Sequence, residues 1–440
     1  MLPMPFRRAG ARVLFILVGV CLAIVVGCTE NTVGSQACAQ LCPNTNVIVK
    51  DTSFELQVTD TTLLGFPTFG LEQAIMLASV ANTLDTRGVI RFDSLQTAYL
   101  PPGFTVDSAP VAITHPDSVR LRLHADTLHS HVPSSFTINV YDVDTTSTDS
   151  LTQLLVPLMR PSRLIGSRTF TSADWLDTVS IPIDSAKFRA ILLGTGRMRV
   201  GLRVVAGGSP VLVRFRTSET QFPAEFRYKA APDSGAATIT LLPRSNTPQL
   251  FATAQSAFAD FMVVVLGTPV QAANTMSIGG IPGHRPVLSF AIPSAIVDST
   301  EIVRATLTMT QLPRRTYRDA DTTAIYPLVF SSTTNVTDAI RAASFAQPLF
   351  GASRQRYSSG AWSDSLRLVP KDSGTRQVEL TAIFREWRIN GTFLQRVLAL
   401  RVADEGFSPA ELRFFNANAP SGLRPRLRIL YVPHPAAVTP

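Results

Sequence analysis

The chain predicts an all-β protein: two tandem antiparallel β-sandwich modules, jelly-roll-like, behind an N-terminal export segment and a short tether. Three observations carry this. Apolar and polar residues alternate in many short runs, the pattern of half-buried strands. Pro-, Gly- and Ser-rich breaks separate the runs, and Thr, Ser, Val and Pro are abundant while Lys is scarce. The order of the runs also recurs, so the second half echoes the first.

The N-terminus has the three parts of a secretory signal. Arg7, Arg8 and Arg12 give a positive start, and Val13 to Val26 is mostly apolar. That run holds roughly 14 residues, short of the roughly 20 a membrane span needs. Gly27 is the small residue before the cut. Val25-Val26-Gly27-Cys28 resembles the lipobox of bacterial lipoproteins. The resemblance implies that residues 1–27 are a removed lipoprotein signal peptide. It further implies that Cys28 becomes the mature N-terminus and carries acyl chains, palmitate among them, on its sulfur and amine. Cys21 fits less well, because the Val20 before it is branched and bulky. An ordinary secretion signal or an uncleaved anchor helix is the alternative. Each buried acyl CH₂ contributes about 0.8 kcal/mol, so several chains hold a soluble domain on a bilayer. Thr29 rather than Asp follows the cysteine, which by the same resemblance implies the outer membrane. The expected location is therefore the cell envelope, lipid-anchored, on the periplasmic or surface face.

The 440 residues leave room for two or three domains, and 45% apolar content supports a sizeable core. Net charge is +8, and about +5 remains without Arg7, Arg8 and Arg12. That charge is spread thinly, so nucleic acid is not an expected partner. No second apolar run is long enough to span a membrane. Cys38 and Cys42 are the two remaining cysteines, with Ala39, Gln40 and Leu41 between them. They suit a small disulfide in an oxidising compartment, with free thiols as the alternative. The loop is tight and its stabilisation small. Two thiolates at this spacing lack further ligands for a metal.

Residues 28–50 are polar and read as a tether. The expected modules are residues 51–230 and 234–433. Phe54, Leu56 and Val58 alternate with Ser53, Glu55 and Gln57 as a strand. Residues 71–84 fit either a helix or a strand, and Gly88 to Asp93 reads as a strand. Val119-Leu121-Leu123, Phe136-Ile138-Val140, Met198-Val200-Leu202-Val204 and Val211-Val213-Phe215 each alternate with polar partners. Pro232, Gly235, Pro243 and Pro248 mark the boundary region, and residues 250–266 read as a short helix or a buried strand.

The echo is then explicit. Gly88 to Phe92 answers to Pro286 to Phe290, and Asp117 to Leu121 to Glu301 to Ala305. Val179-Ser180-Ile181 answers to Val378-Glu379-Leu380, and Arg199 to Val204 to Val397 to Val402. Val213 to Thr217 followed by Phe226-Arg227-Tyr228 answers to Leu412 to Asn416 followed by Leu427 to Tyr431. A single large β domain whose strands look alike is the alternative. The strands ending near Phe92 and Phe290, the strand Val303 to Met309, and the helical turn Thr381 to Gly391 with Trp387 resemble a bacterial cell-surface β-sandwich family. That family is known for an Asp-Asn-Arg-Leu-Arg-Glu string, which is absent here, and the first module has no counterpart to Trp387. The resemblance implies carbohydrate binding or a structural role. Leu63 to Gly70 after the signal also resembles lipoproteins of Bacteroidetes-like bacteria, which implies location only.

Few constellations carry chemistry. His124, Asp126, His129 and His131 have the density of a metal site, but Pro133 and nearby serines mark a solvated loop, so no metal or cofactor is expected. Asp142 with Asp144 and Asp319 with Asp321 have the alternating oxygens that suit calcium, yet no glycine and distal Glu complete a calcium loop. Arg120, Arg122, Arg199, Arg203, Arg214 and Arg216 form a basic sheet surface if their strands are adjacent, suited to phosphates or acidic glycans. Paired with Asp and Glu they are simply a soluble face. Trp175, Trp362, Trp387, Tyr317, Tyr326 and Tyr357 are candidate sugar platforms. Trp387 fits a core, and Trp362 with Tyr317 are the better ligand candidates. There is no Gly-x-Ser-x-Gly elbow, Walker loop or His-Glu-x-x-His, so no catalytic residue is assigned and no enzyme is expected. The expected function is an anchored carbohydrate-binding or adhesion protein, held to the membrane through acylated Cys28. The alternative is a structural or assembly lipoprotein that partners other envelope proteins.

Overall fold

The computed structural model describes residues 48–56, 61–64, 73–101, 103, 109–144, 152–232, 235–244, 258–267, 273–281, 283–314, 322–331, 366–389, 391, 394–402 and 408–433. Cys28, Cys38, Cys42, Tyr317, Asp319, Asp321, Tyr357 and Trp362 lie outside the described residues. No helix among the described residues is long and apolar enough to cross a membrane.

The fold is all-β with multiple antiparallel sheets, as the alternation predicts. The described chain enters with β1 (Lys50–Glu55) and β2 (Thr61–Leu64). A first series follows: β3 (Ala74–Val80), β4 (Leu84–Phe92), the small ribbon β5 (Ala98–Tyr99) and β6 (Val111–Ala112), β7 (Asp117–His124) and β8 (Ser135–Asp142). It continues with helix α1 (Thr152–Leu155), β9 (Leu164–Thr171), β10 (Thr178–Pro182), helix α2 (Ser185–Gly194), β11 (Met198–Val205), β12 (Val211–Arg216) and β13 (Glu225–Lys229). Then come β14 (Thr238–Leu241) and β15 (Asp260–Leu266). The second series is β16 (Thr275–Gly279), β17 (His284–Ser289), helix α3 (Ser294–Ser299), β18 (Thr300–Leu312), β19 (Thr323–Ser331) and β20 (Leu366–Leu368). It closes with β21 (Gly374–Glu379), helix α4 (Thr381–Ile389), β22 (Leu394–Val402), β23 (Glu411–Phe415) and β24 (Arg426–Pro433).

The two series pair in the same order. The first gives β12-β3-β4-β11-β8-β9 and β10-β7-β13; the second gives β23-β16-β17-β22-β19-β20 and β21-β18-β24. Helix α2, between β10 and β11, packs on β7, and α4, between β21 and β22, packs on β18. Asp184 caps α2 by accepting from the Ala186 and Lys187 amides, and its inward residues are Phe188 and Leu192. Trp387 is 1% exposed and packs edge-on against Phe384, centroids 4.8 Å apart.

The leading strands are exchanged. β1 pairs with β24 and β2 with β17, so both complete the sheet of the second series. β14 pairs with β13 and β15 with β4, so both complete the sheets of the first. The expected limits 51–230 and 234–433 therefore do not follow sheet membership: β1 and β2 lie in the second sheet, and β14 and β15 in the first pair. The sequence order of strands carries no information about which sheet a leading strand joins. The exchange ties Lys50–Pro440 into a single unit.

Each series encloses one main core. In the first, Ile90, Phe92, Val140 and Val200 of the larger sheet meet Leu121, Leu123, Ile181 and Phe226 of the smaller one. Bridges Ala125–Phe215 and Gly166–Ile183 join the margins of the two sheets. In the second, β18 runs from β24 on to β23, so a single sheet wraps Ile302, Leu307, Leu398, Phe414 and Ile429. Two ambiguous stretches resolve as strands. Residues 74–80 are β3 and 260–266 are β15, both largely buried on two faces, which is why their apolar runs are continuous rather than alternating.

The second face of β4, β8 and β11 is also covered. Leu155, Met159, Phe258, Phe261 and Val263 pack on Val89, Tyr141 and Val143. A Cβ on Gly201 would lie 2.7 Å from Val143 and 2.8 Å from Met159, so glycine lets that cover close.

Candidate functional site

A concave polar surface is built on the outer face of β1-β24-β18-β21. Alternation sends Ala305, Leu307 and Met309 inward and Thr308 and Thr310 to the outer face, where Thr306 also stands but is itself buried. Thr306 stands opposite Arg428 on one side and Glu379 on the other, and Thr308 opposite Arg426 and Gln377. A bulge between Ile302 and Arg304 turns both Val303 and Arg304 outward. Arg304, Thr306, Thr308, Gln377, Arg428 and Leu430 line a shallow groove of about 90 Å³. A larger cavity of about 310 Å³ is lined by Glu301, Arg385, Arg388 and Ile389, the last 74% exposed.

The charges of this face are paired. Arg428 Nε lies 3.0 Å from Asp51, Arg426 3.4 Å from Glu55, and Arg304 Nε 3.1 Å from Glu379. Arg388 pairs with Glu301. The hydrogen bond from Arg428 holds the Asp51 carboxyl below its ordinary range. Strands lie about 4.8 Å apart, and outward residues repeat about every 6.8 Å along a strand. The face is therefore a grid of hydroxyl, amide, guanidinium and carboxylate groups. Such a grid offers donors and acceptors together, which a polyhydroxylated ligand requires. Sequence reasoning missed it, because Arg304, Gln377 and Arg428 come from three distant strands. The period-two placement of Thr306, Thr308 and Thr310 was the available signal.

The residues singled out by sequence fall elsewhere. Trp362 and Tyr317 are outside the described residues. Trp175 and Trp387 are core side chains, and Tyr326 is half-buried. Asp126 caps the turn Thr127–His129, accepting from the His129 amide at 3.2 Å and facing His129 Nδ1 at 2.8 Å and Arg214 at 3.2 Å. Its oxygens are spent on the turn and an arginine. Among the described residues no three or more His, Cys, Asp or Glu side chains converge as metal ligands.

Asp142 and Asp144 hold arginines. Arg163 lies 3.0 Å from Asp142, and Arg197 3.0 Å and Arg199 3.4 Å from Asp144. Arg199 also reaches Asp93 at 3.6 Å, and Asp93 lies 3.3 Å from fully buried Arg91. Burial raises the Asp144 carboxyl, and Arg197 and Arg199 offset this only in part. A second buried cluster surrounds Glu411, 3% exposed, which accepts from Ser277 Oγ at 2.5 Å, Arg314 at 2.8 Å and Arg413 at 3.0 Å. Burial pushes its carboxyl up, but Ser277, Arg314 and Arg413 outweigh it and leave it lowered. Both clusters are enclosed and serve as scaffolding.

The expected basic surface divides. Arg199 and Arg214 are buried in ion pairs on other strands. Arg216 sits over Phe222, 5.6 Å from the ring centroid. Arg120 and Arg122 alone share the outer face of β10-β7-β13-β14. The cause is topology: β7 lies in the smaller sheet, whereas β11 and β12 lie in the larger one and are not neighbours there.

Comparison with known proteins assigns no family. No protein-family profile matches the chain, and no curated protein matches it. Among solved structures, the C-terminal domain of the Streptococcus pyogenes antigen I/II-family protein AspA aligns at 9% identity and a TM-score of 0.14, covering 88% of this chain and 92% of its own. The N-terminal CBM22-1-CBM22-2 tandem domain of Paenibacillus barcinonensis Xyn10C aligns at 9% identity and a TM-score of 0.12, covering 86% of this chain and 100% of its own. Scores this low do not establish a shared fold, and nothing is carried over from either.

Proposed function

We propose that this chain is an exported, lipid-anchored protein of the cell envelope, non-enzymatic, that binds carbohydrate through the outer face of β18, β21 and β24. The observation that supports the reading is the groove itself. Arg304, Thr308, Gln377 and Arg428 offer mixed donors and acceptors along one groove, with Arg304 and Arg428 each balanced by a carboxylate. Neutral sugars, whose hydroxyls both donate and accept, are matched by such mixed donor and acceptor groups. Cys28 supplies the attachment, and the tether before β1 spaces the sheet from the bilayer.

Two measurements test the reading separately. Labelling cells with a palmitate analogue marks the protein and loses the label in Cys28→Ala; unchanged labelling refutes the anchor. A panel of soluble neutral polysaccharides binds the native protein, and Gln377→Ala with Arg428→Ala weakens that binding about tenfold or more, as loss of charged and neutral hydrogen bonds implies. Absence of binding across the panel, or binding indifferent to both changes, refutes the groove.

A further inference from the structure

A second surface, on the other sandwich, has a different charge balance. The outer face of β7 and β13 carries cations in three successive rows. Arg122 stands opposite Glu225, Arg120 directly opposite Arg227, and Lys229 opposite Asp117. The alternate residues Leu121, Leu123, Phe226 and Tyr228 are buried, so these side chains face out. Arg122 is held by Glu225 at 2.9 Å. Arg227 Nε donates to Thr240 Oγ1 at 3.1 Å and lies 3.9 Å from Glu225. Arg120 has no ion pair or hydrogen bond among the described residues. Four cations thus face two carboxylates.

The middle row is the informative one. Like charges directly opposite on paired strands repel and destabilise a sheet. A counter-ion between them turns that repulsion into two charge-assisted contacts, and guanidiniums bind carboxylate or sulfate in fork geometry. Outward residues repeat about every 6.8 Å along a strand, so Lys229 and Arg227 on β13 and Arg120 and Arg122 on β7 follow the strand direction, with a bulge between the Arg227 and Lys229 rows. The residues beside them, Thr178, Ser180, Pro182, Thr238 and Thr240, are small. None of these is an aromatic or long aliphatic side chain of the kind that anchors a protein in lipid, and the one exposed aromatic near them, Phe222, packs on His124 beyond Arg122.

We propose that the outer face of β7 and β13 is a binding site for a linear acidic polysaccharide, whose carboxylate or sulfate groups sit in the Arg120–Arg227 pair and along the strands from Lys229 to Arg122. The site is separate from the groove on β18, β21 and β24 and stands or falls independently of it.

The test uses the full chain, with polygalacturonate and dextran sulfate as probes, uncharged dextran as control, and phosphatidylglycerol vesicles as the competing source of anions. At low ionic strength at least one acidic polymer binds, dextran does not, and binding weakens as salt rises. Arg120→Gln with Arg227→Gln lowers the affinity about tenfold or more, whereas Arg189→Gln on the exposed surface of α2 leaves it unchanged. Because the double change removes a repulsive pair, the melting temperature is held or raised, which separates lost binding from lost folding. Equal binding by the double variant, failure of both polymers to bind, or binding confined to the vesicles overturns the proposal.

Discussion

Asp260 opens β15 with a side chain that burial penalises. It is 2% exposed and accepts from the Ser218 amide at 2.8 Å and the Ser218 hydroxyl at 3.1 Å. Burial pushes its carboxyl up from 3.8 to about 6, the hydrogen bonds from Ser218 offset this in part, and the nearby Glu219 adds to it. A carboxyl raised on folding is more readily ionised in the unfolded chain. Below pH 3.8 both states are protonated and the group is neutral for stability. As pH rises from 3.8 through 6 the unfolded state gains, and above 6 the cost is complete. The rise to about 6 corresponds to about 3 kcal/mol at pH 8. Asp260→Asn keeps a carbonyl for the Ser218 amide and an NH₂ for its hydroxyl, without the charge. The expected gain is about 1–3 kcal/mol at pH 8, shrinking to nothing near pH 4. Denaturant unfolding at several pH values measures it. A variant less stable than the native chain at pH 8, or a difference that does not change with pH, refutes the reasoning.

Other perturbations follow from the same structure. Gly201→Val forces a side chain into Val143 and Met159 and is expected to cost about 1–3 kcal/mol or more by thermal denaturation. Glu411→Gln leaves Arg314 and Arg413 without their shared carboxylate and is expected to cost about 3 kcal/mol at neutral pH. Because the Glu411 carboxyl is lowered, its contribution is present above the unfolded value of 4.5 and is lost as pH falls through the folded one, so native and variant converge in acid. A fragment of residues 51–230 lacks β14 and β15 and is expected to show no cooperative melt, whereas residues 73–267 melt as a unit; the reverse outcome contradicts the exchange.

Much of the fold was legible because the physics was local. Val119-Leu121-Leu123 and Phe136-Ile138-Val140 announce half-buried strands by period alone, and both are β-strands with those residues inward. The echoed segments also occupy matching places: Gly88–Phe92 and Val287–Ser289 each pair with the strand after the helix, β11 and β22. What failed was non-local. Nothing in Phe54 or Glu55 says that β1 crosses to β24, since pairing across some 370 residues leaves no periodic trace. The basic surface failed likewise, because Arg120 and Arg214 are equally polar in sequence yet one is exposed and the other buried. The aromatic residues divide: Trp387 is core, as its helical pattern implies, and Trp175, a candidate sugar platform in sequence, is core as well, because a tryptophan brings a large apolar area to bury.

The exchange of leading strands also sets an order of assembly. Chains emerge from the N-terminus, so residues 74–229 are complete well before β14 and β15 arrive at 238–266. Until then β13 and β4 each present an unsatisfied edge, and β1 and β2 wait for partners still to be made. Closing pairs that span the whole chain is slow, because the entropy of loop closure precedes any contact. Open edges held for that time are templates for pairing with other chains. A product that stops before residue 238 keeps its edges permanently and is expected to aggregate, so the last half of the chain acts as the stopper for the first.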